Sequence, residues 1–442
     1  MRVHFISIGG AVMHNMALAL HSMNFKVTGS DDEIFEPAYS RLQQQGLLPN
    51  KLGWDDARIS ADLDFVILGM HARADNPELI KAKSLGLKIY SFPEYVYEHS
   101  KNKTRIVVGG SHGKTSTTAM IMHVLMRKEI EFDYVVGSQL EGFERMVKLS
   151  HAPIIVIEGD EYLTSALDLK PKFHWYKPHT AILTGIAWDH INVFPTYEIY
   201  VDQFKTFIDT IEASGTLIYC DSDPDLVQIA KNATCEALPY SVPNFSIENG
   251  ITSIKHLGNT YPLEVFGKHN LLNLQAAKMA CETIGINEAE FWNLVSDFKG
   301  AAKRLEKIKD TPRIKIFRDF AHSPSKLRAT VQAAIEQFEG FNIIGVFELH
   351  TFSSLNADFL KEYHGAMQGL NTAIVYYNTH VFELKKMDML DPDFVAQQFG
   401  GGVLVINERS NLEEKIQKNL EDKSILLLMS SGNFDGMAIN AF

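Results

Sequence analysis

One segment of the sequence constrains the fold more than any other. A run rich in β-branched residues at 105–108 leads at once into Gly109-Gly-Ser-His-Gly-Lys-Thr-Ser116, and a helix-like run follows to about Lys128. A strand that passes through a glycine-rich turn into a helix is typical of α/β units, in which helices pack against a sheet. We therefore expect a new α/β unit to start at this strand.

The turn also has the chemistry of a phosphate-binding loop. Its consecutive backbone N–H groups and the following helix N-terminus can hold polyphosphate oxygens. Lys114 can neutralise charge on the β- and γ-phosphates, and the Thr115 hydroxyl can bind Mg²⁺. Val108 stands where the GxxxxGK[ST] motif requires its first glycine, so the loop is a shortened variant. The alternative is a glycine-rich turn that enters a helix without binding any ligand.

Length and charge narrow the class of protein. At about 150 residues per domain, 442 residues predict about three domains. Hydrophobic residues make up 45% and charged residues 22% of the chain, which is ordinary for a folded globular protein. The net charge of -12 argues against a protein that binds nucleic acid through its phosphate backbone. A local basic pocket for a small anion is still compatible with this charge.

Cysteine content and hydropathy indicate the cellular compartment. Cys220, Cys235 and Cys281 fit neither a disulfide framework nor a CxxC metal site. The first residues carry no recognisable secretory signal, and the sequence lacks the uncharged apolar stretch of about 18 residues that crosses a bilayer. We expect a cytoplasmic protein with no membrane partner.

Apolar runs alternate with helix-like runs in three successive parts of the chain. Strands are predicted at 3–8, 25–28, 65–68, 88–90, 105–108, 154–157, 180–183, 314–317, 343–347, 373–377, 403–406 and 425–429. Further helices are predicted at 13–21, 77–85 and 325–338. The polar segment 99–103 suits a domain boundary. This alternation predicts an α/β protein with domains at 1–103, 104–310 and 311–442.

Two polar residues follow apolar strands in the central part of the chain. Glu158 comes directly after 154–157, and His190 follows 180–183 within Trp188-Asp-His190. Groups at strand C-termini line ligand crevices in open α/β sheets. Glu158 can complete a Mg²⁺ shell because hard cations prefer oxygen ligands, and its alternative is a solvated acidic loop. His190 can be a second metal ligand or a structural hydrogen-bonding residue.

Six motifs follow one another in a characteristic order. They are Gly110-Ser-His-Gly-Lys-Thr-Ser-Thr-Thr118, Glu158-Gly-Asp-Glu161, Asp189-His190, Gly267-Lys-His-Asn270 with Asn273, Arg304, and Asp319-Phe-Ala-His-Ser-Pro324. This order resembles that of the Mur ligases, a family that joins UDP-linked muramyl precursors to amino acids or peptides. The resemblance implies a Rossmann-like N-terminal domain, a central P-loop ATPase-type domain and a C-terminal Rossmann-like α/β domain.

Within that family the pattern is most similar to the murein peptide ligases. Their reaction joins the tripeptide L-Ala-γ-D-Glu-meso-diaminopimelate to UDP-N-acetylmuramate in peptidoglycan recycling. The residues that carry the similarity are Glu158-Gly-Asp-Glu-Tyr-Leu-Thr164, Lys172-Phe173, Tyr176, Pro178, Trp188-Asp-His190 and Val193-Phe194. The branch that adds L-alanine would show a second acidic-serine pattern after Glu161, where this chain has Tyr162. The alternative is that branch, the UDP-N-acetylmuramate–L-alanine ligases of de novo peptidoglycan synthesis.

The resemblance also implies a set of ATP and Mg²⁺ contacts. ATP would be bound by Gly110, Ser111, His112, Gly113, Lys114, Thr115, Ser116, His269, Asn270, Asn273, Arg304 and Asp319. Lys114, Glu158 and His190 would be catalytic, with Thr115 and Glu158 on one Mg²⁺ and His190 on a second. Lys205 lies where some members carry a carbamylated lysine that supports the second ion.

Three of these residues have plainer alternatives. Asn270 can be an ordinary N-cap, because asparagine is favoured at that position. Lys205 can be a solvent-facing helix lysine. Lys303, the neighbour of Arg304, can take over the phosphate contact.

The first and third domains would hold the other substrates. UDP-N-acetylmuramate would contact Gly9, Gly10, Ala11, Asp31, His71 and Arg73. Ala11-Val-Met13 replaces the glycines that a GxGxxG fingerprint needs, and Asp31 can instead be a turn cap. The peptide would contact His322, His350, Ser431 and Asn433. Loops of the kind that carry His350 and Ser431 also occur after strands without any ligand.

The activity implied is that of an ATP-dependent ligase, which forms a C–N bond through an acyl phosphate. It would act on small molecules as a monomer or weak homo-oligomer. A second class is an NAD-dependent oxidoreductase built on the N-terminal βαβ unit, against which the missing third glycine argues. A third class is a nucleotide-binding switch, whose ATP hydrolysis would be indifferent to UDP-N-acetylmuramate.

Overall fold

The computed structural model describes residues 1–188, 190, 193–301 and 304–442, and it divides into two compact units. Unit 1 comprises Met1–Ser241 and Leu272–Leu294, and unit 2 comprises Val242–Leu271 and Val295–Phe442. Asp189 and Lys303, which the sequence singles out beside His190 and Arg304, lie outside the described residues. In the part of the chain that the structure describes, no helix is both long and apolar enough to cross a membrane.

Unit 1 begins with a four-stranded parallel sheet in the order β2-β1-β3-β4. The strands are β1 (Arg2–Ile6), β2 (Lys26–Ser30), β3 (Phe65–Leu68) and β4 (Lys88–Ser91). The helices are α1 (Ala11–Ser22), α2 (Ala38–Gln44), α3 (Pro77–Ser84) and α4 (Phe92–Ser100), with a 3₁₀ turn at Asp56–Arg58. Strand β3 is fully buried and apolar along its whole length. This is typical of a parallel strand that is covered on both faces.

A seven-stranded sheet forms the rest of unit 1, in the order β11-β10-β9-β5-β8-β6-β7. Its strands are β5 (Thr104–Gly109), β6 (Phe132–Val135), β7 (Val147–Lys148), β8 (Ile154–Glu158), β9 (Thr180–Leu183), β10 (Thr216–Cys220) and β11 (Glu236–Tyr240). Its helices are α5 (Lys114–Arg127), α6 (Tyr197–Asp209) and α7 (Pro224–Ala230), with a 3₁₀ turn at Lys172–Trp175. Only the β6–β7 pair is antiparallel among the described strands. The carboxyl ends of β9, β5 and β8 therefore meet at one edge.

Arg105 joins the predicted boundary segment 99–103 to this sheet. The side chain is buried, and it donates to the carbonyl oxygens of Ser100 at 3.0 Å and Tyr176 at 2.9 Å. It also forms an ion pair with Glu212 at 2.7 Å. A buried guanidinium needs this many acceptors, because an unpaired one would be costly. The link between the two sheets of unit 1 is thus an ordered segment.

Unit 2 contains an antiparallel three-stranded sheet and a mixed six-stranded sheet. The small sheet has β12 (Phe245–Glu248), β13 (Ile251–His256) and β14 (Asn259–Leu263). Helices α8 (Lys268–Glu282) and α9 (Glu288–Val295) follow, and each has residues in both units.

The six-stranded sheet has the order β15-β16-β20-β17-β18-β19, with only the β15–β16 pair antiparallel among the described strands. Its strands are β15 (Glu306–Asp310), β16 (Ile314–Asp319), β17 (Asn342–Glu348), β18 (Thr372–Tyr376), β19 (Leu404–Ile406) and β20 (Ser424–Met429). Its helices are α10 (Pro324–Gln337), α11 (Thr379–Lys385), α12 (Pro392–Gln398) and α13 (Arg409–Asn419). Short 3₁₀ turns lie at Leu360–Tyr363, Phe434–Gly436 and Ile439–Ala441.

Alternate residues of these strands pack into two apolar clusters, one on each face of the six-stranded sheet. Phe317 and Leu427 belong to one cluster, whereas Ile316 and Leu426 belong to the other. This is the period-two pattern of a sheet covered on both sides. The predicted α/β class with its three-domain architecture is confirmed. The boundaries at 103 and 310 stay predictions.

Candidate functional site

The phosphate loop joins β5 to α5 at the carboxyl edge of the seven-stranded sheet. Gly110 and Gly113 have positive φ values of 128° and 76°, which favour glycine. A Cβ atom at Gly110 would collide with Thr184, and one at Gly113 with the side-chain oxygen of Asn273. Gly113 is the N-cap of α5, so the first N–H groups of the helix are directed into the loop. This arrangement suits an anionic ligand.

Lys114 lies at the start of α5 with its ammonium group between two acceptors. Its Nζ atom donates to Gly110 O at 2.6 Å and to Glu161 Oε2 at 2.7 Å. Burial acts to lower the pKa of Lys114, but the carboxylates of Glu161, Asp160 and Glu158 outweigh it and leave that pKa above its usual value. Lys114 is therefore a cation at neutral pH, as a phosphate contact requires.

Thr115 and Glu158 meet across two neighbouring strands. Thr115 Oγ1 donates to Glu158 Oε1 at 2.8 Å, and the backbone N–H of Gly137 donates to Glu158 Oε2 at 3.0 Å. The pair follows from the register, because Val108 of β5 lies opposite Glu158 of β8. A hydroxyl and a carboxylate in contact form an oxygen donor set of the kind that Mg²⁺ takes.

His190 lies close to the same group of residues. Its Nε2 atom is 3.8 Å from Glu161 Oε1, and its ring packs against Tyr162 with the centroids 4.9 Å apart. The backbone at His190 has a φ of 56°, a region that few non-glycine residues adopt. The structure thus brings His190 to the acidic segment that follows β8.

Lys205 is placed differently from the other residues assigned to metal binding. It lies on α6, its side chain is 55% exposed, and its Nζ atom pairs with Asp202 at 2.6 Å. This is the arrangement of a solvent-facing helix lysine. Its carbamylation stays a prediction.

Asn273 and Asn270 have different surroundings. Asn273 of α8 places its side-chain oxygen beside Gly113 of the phosphate loop. Asn270 is buried, and its Nδ2 group donates to Phe266 O at 2.9 Å, so its amide secures the entry into the helix. The structure thus brings Asn273 to the loop.

His269, Arg304 and Asp319 are close together in unit 2. Burial lowers the pKa of His269, the Asp319 carboxylate opposes that effect, and the Arg304 guanidinium adds to it. Arg304 also lies over the ring of Phe320, with 5.0 Å between its Cζ atom and the ring centroid. These three residues, all predicted to contact ATP, therefore form one cluster.

Asp319 has most of its acceptor capacity in use. Its carboxylate accepts from Leu305 N at 2.8 Å, Ala321 N at 2.7 Å and Thr330 Oγ1 at 3.1 Å. These bonds tie β16 to the residues just before β15 and to α10. Asp319 organises the turn that carries Phe320 and stands beside Arg304.

The N-terminal turn brings Gly9 and Asp31 into direct contact. Gly9 N donates to Asp31 Oδ2 at 2.7 Å, and Gly10 is the N-cap of α1, which starts at Ala11. A Cβ atom at Gly9 would lie 2.9 Å from that same oxygen, so a larger residue at this position would have to displace the Asp31 side chain. Burial raises the pKa of Asp31 to about 6, against the opposing hydrogen bond from Gly9 N.

His71 and Arg73 follow β3 and are exposed, at the same carboxyl edge as this turn. Just before them, Met70 O accepts from Ala166 N at 3.2 Å. Ala166 belongs to the segment that runs on from Glu161. The loop after β8 therefore connects the phosphate-loop region with the strand end that carries His71.

Of the residues predicted to contact the peptide, His350 and Ser431 lie after adjacent strands β17 and β20 of unit 2. The Nδ1 atom of His350 and the Oγ atom of Ser431 are buried and have no hydrogen-bond partner among the described residues. Such groups are rare, because a buried polar atom without a partner costs free energy.

The other two predicted peptide contacts have structural partners. His322 Nδ1 is 2.8 Å from Phe320 O, and Tyr363 OH donates to His322 O at 2.7 Å. Asn433 is exposed and caps a 3₁₀ turn by accepting from Gly436 N at 3.3 Å. Their role in peptide binding stays a prediction.

The sequence gives no role to three residues that the structure places at the site. Tyr200 of α6 is fully buried, and its hydroxyl is 2.8 Å from Ser111 Oγ and 3.2 Å from Glu161 Oε1. Thr184 lies against Gly110. A helix aromatic on an apolar face looks like core in any sequence, so Tyr200 carries no visible signal. Glu161 does carry a sequence signal, because it belongs to the Glu158-Gly-Asp-Glu161 motif.

Fold and phosphate loop together place the chain among the α/β enzymes that use a nucleoside triphosphate. Two family models match it: the Mur ligase family catalytic domain over residues 2–104 and the Mur ligase middle domain over residues 108–281. Together they match well over half of the chain. The chain belongs to the Mur ligase family and is an ATP-dependent ligase that forms an amide bond.

Relatives in two branches of the family resemble the chain. The UDP-N-acetylmuramate–L-alanine ligase of Clostridium acetobutylicum is 29% identical over 382 residues, which cover 82% of this chain and 81% of that protein. The solved UDP-N-acetylmuramate–alanine ligase of Thermotoga maritima aligns with a TM-score of 0.68 at 22% identity, covering 99% of this chain and 97% of the other. The murein peptide ligase of Psychrobacter arcticus aligns with a TM-score of 0.63 at 22% identity, covering 100% and 99%. The two solved structures confirm the fold.

Proposed function

We propose that this enzyme joins L-Ala-γ-D-Glu-meso-diaminopimelate to UDP-N-acetylmuramate at the expense of ATP, in peptidoglycan recycling. The observation that carries the proposal is the contact of Tyr162 with His190. Tyr162 replaces the acidic-serine pattern expected of the alanine-adding branch, and its ring lies 4.9 Å from the His190 ring. The difference between the branches thus falls beside the proposed catalytic residues.

A tripeptide substrate also has more polar groups to pair than L-alanine does. His350 Nδ1 and Ser431 Oγ are buried polar atoms without partners among the described residues, at the ends of β17 and β20. They support a polar binding site for the peptide at this edge, because a bound carboxylate or amide would satisfy them. His322 and Asn433 are proposed as further contacts from the same unit.

The reaction starts at the D-lactoyl carboxylate of UDP-N-acetylmuramate. This carboxylate attacks the γ-phosphate of ATP and forms an acyl phosphate, and ADP leaves. The peptide α-amine then attacks the acyl carbon, and inorganic phosphate leaves as the amide forms. A free carboxylate is a poor acyl donor, and phosphorylation supplies its leaving group. The protein needs no nucleophile, so catalysis depends on positioning and charge stabilisation.

The phosphate loop supplies most of that stabilisation. The N–H groups at the start of α5 bind phosphate oxygens, and Lys114 contacts the γ-phosphate, where negative charge must be balanced during transfer. Asn273 contacts the nucleotide from α8. His269, Asn270, Arg304 and Asp319 are proposed nucleotide contacts of unit 2, and the fixed carboxylate of Asp319 suits an organising role there.

Thr115 and Glu158 fit Mg²⁺ as its protein ligands. The described residues contain no group of three or more His, Cys, Asp or Glu arranged to hold a metal. Mg²⁺ does not need one, because it keeps several waters and phosphate oxygens and takes one or two carboxylates from the protein. When bound, the ion screens the repulsion between the γ-phosphate and the attacking carboxylate. His190 is proposed as a ligand of a second ion.

UDP-N-acetylmuramate binds in the first domain in this proposal. Gly9, Gly10 and Ala11 present the start of α1 to the diphosphate, and from the next strand end Arg73 adds positive charge and His71 a ring N–H donor. Asp31 is held beside Gly9 and accepts a hydrogen bond from the ribose or uracil. Since ATP and this UDP-linked precursor are both cytoplasmic substrates, we place the enzyme in the cytoplasm.

The alternative activity is the addition of L-alanine alone, which the name of the Clostridium acetobutylicum relative favours. One experiment separates the two: phosphate release from ATP and Mg²⁺ with UDP-N-acetylmuramate, with either L-alanine or the tripeptide as amine donor. We expect release that requires the tripeptide. Release that proceeds with L-alanine and not with the tripeptide would assign the enzyme to the de novo pathway. No release with either donor would refute both activities.

A further inference from the structure

Glu161 is a buried carboxylate at the centre of the phosphate-loop region, and the roles assigned above leave it out. It lies three residues beyond the end of β8 and is 1% exposed. A buried carboxylate is costly unless it is paired and hydrogen-bonded. Its partners therefore show what it does.

Each oxygen of Glu161 has its own partner. Oε2 accepts from Lys114 Nζ at 2.7 Å, and Oε1 accepts from Tyr200 OH at 3.2 Å. The Nε2 atom of His190 lies 3.8 Å from the same Oε1. One side chain thus contacts the phosphate loop, helix α6 and the segment after β9.

The contact with Lys114 limits where the ammonium group can point. An ammonium group has three N–H donors. Gly110 O and Glu161 Oε2 take two of them, at 2.6 and 2.7 Å, among the described residues. Two fixed bonds determine the direction of the third donor, which can then meet a phosphate oxygen without displacing Glu161.

Glu161 is itself held in place by further hydrogen bonds, as expected of a residue that keeps Lys114 in one orientation. The Tyr200 hydroxyl that binds it is 2.8 Å from Ser111 Oγ, and Ser111 Oγ accepts from Ala187 N at 2.8 Å. Tyr200 is fully buried. Because this chain of hydrogen bonds anchors one oxygen of Glu161, we expect the carboxylate to stay in position when a ligand binds.

We propose that Glu161 is a positioning residue that holds Lys114 in the orientation needed to contact the γ-phosphate of ATP, with Tyr200 as its anchor. This rests on the proposed role of Lys114 as the γ-phosphate contact. It adds to the proposed chemistry a residue that acts on ATP only through Lys114.

A double-mutant cycle on ATP binding tests the proposal. ATP with Mg²⁺ is titrated calorimetrically into the full-length enzyme, its Lys114→Ala and Glu161→Gln variants, and the double variant, without the other substrates. A charge-assisted hydrogen bond of this kind predicts about 10- to 100-fold weaker ATP binding in E161Q. In the K114A background we expect E161Q to cause no further loss, because the effect passes through Lys114.

Asp133→Asn is the matched control. Asp133 is also a buried carboxylate paired with a lysine, Lys103, at 2.7 Å, but it lies near the amino end of β6, away from the phosphate loop. We expect D133N to lower the unfolding temperature and leave ATP affinity unchanged. An equal loss of ATP affinity in D133N and E161Q would show a general structural effect and overturn the proposal.

Two further results would also overturn it. One is ATP binding in E161Q as tight as in the wild type, or tighter, which would make Glu161 a competitor of the phosphate. The other is the same loss from E161Q with and without Lys114. If E161Q does not fold, Tyr200→Phe carries the test, with about 3- to 10-fold weaker ATP binding that again depends on Lys114. Unchanged binding in Y200F would then refute the proposal.

The readout separates this proposal from the proposed function. ATP affinity does not depend on which amine donor the enzyme uses. An enzyme that forms no product with either donor, yet shows the predicted coupling between Glu161 and Lys114, would refute the ligase substrates and leave the role of Glu161 intact.

Discussion

Thr115 Oγ1 donates a hydrogen bond to Glu158 Oε1, with 2.8 Å between the two oxygen atoms. Thr115 follows the phosphate loop after β5, and Glu158 ends β8, the neighbouring parallel strand. Neighbouring parallel strands bring their carboxyl ends to one edge of the sheet, so two residues 43 positions apart can form this hydrogen bond. We propose this edge as the place where ATP and Mg²⁺ bind.

Replacing the Glu158 carboxylate should raise the Mg²⁺ requirement. In Glu158→Gln the oxygen pair loses its charge, and the loss of one charged contact, about 1.5–3 kcal/mol, predicts about 10- to 100-fold more Mg²⁺ for half-maximal turnover. Mg²⁺ titrations of the rate of phosphate release measure this. The control is Thr115→Ser, which keeps the hydroxyl and should stay close to wild type. An unchanged Mg²⁺ dependence in E158Q would contradict the assignment.

His190→Ala should either raise the Mg²⁺ requirement or eliminate turnover. His190 lies 3.8 Å from Glu161, so its removal takes an imidazole ligand from the region where the second ion is proposed. Turnover is measured at rising Mg²⁺ concentrations, with His151→Ala as the matched control, because His151 is an exposed histidine just before β8. The metal assignment fails if H190A and H151A behave alike.

Asp31 should give the use of UDP-N-acetylmuramate a pH dependence. Because burial raises the pKa of Asp31 to about 6, its carboxylate takes up a proton as the pH falls through 6 and becomes a weaker acceptor for Gly9 N and the substrate. For one titrating group, kcat/KM for this substrate should fall roughly tenfold per pH unit below that value. Steady-state rates at about ten pH values between 5 and 8 measure this pH dependence of kcat/KM. A profile with the same acid limb in Asp31→Asn would refute the assignment.

The same residue should also influence stability. A carboxyl whose folded pKa is raised binds its proton more tightly in the folded state, so it favours folding below its unfolded pKa of about 4. That contribution is lost as the pH rises through about 6. We expect the unfolding temperature of the wild type to fall over this interval relative to that of D31N. A constant difference between the two proteins would contradict the raised pKa.

His350→Ala should weaken peptide binding selectively. If His350 Nδ1 pairs with the peptide, its loss should raise KM for the tripeptide about tenfold, for one hydrogen bond of roughly 1–2 kcal/mol, and leave KM for ATP unchanged. His380→Ala is the control, because His380 is an exposed residue of α11 in the same unit. Equal KM values for the tripeptide in H350A and H380A would exclude His350 from the site.

Strong, regular patterns made much of the fold predictable. The β-branched run at 105–108 and the mostly apolar runs at 154–157 and 180–183 are strands in the structure, within one residue of the expected positions. Short runs of this kind, rich in β-branched residues and bounded by turns, favour a strand covered on both faces. The phosphate loop and Glu158 were predictable because each directly follows one of these runs.

Other elements carry no such signal. Strands β12 to β14 mix polar and apolar residues and are partly exposed, and the sequence did not indicate them. The antiparallel edge strand β15 is a charged Glu306–Asp310 segment, which periodicity cannot distinguish from a loop.

Contacts between distant side chains were the least predictable part of the candidate site. The sequence shows Glu161 next to Glu158 but cannot show that Tyr200 and Lys114 share it. Likewise, Asp319 is visible as an acidic residue after a strand, whereas its three hydrogen bonds depend on tertiary structure. These contacts depend on how the helices pack in the folded chain. The residue types alone do not show which side chains will meet.

The most direct test of the central claim is the fate of the substrate's carboxylate oxygen. UDP-N-acetylmuramate labelled with ¹⁸O in its lactoyl carboxylate is incubated with the enzyme, ATP, Mg²⁺ and L-Ala-γ-D-Glu-meso-diaminopimelate, and the phosphate released is analysed by mass spectrometry. An acyl phosphate intermediate predicts one ¹⁸O atom in each phosphate released, together with the UDP-linked tripeptide product. Unlabelled phosphate would show that ATP is hydrolysed without activation of the carboxylate, and would contradict the proposed reaction.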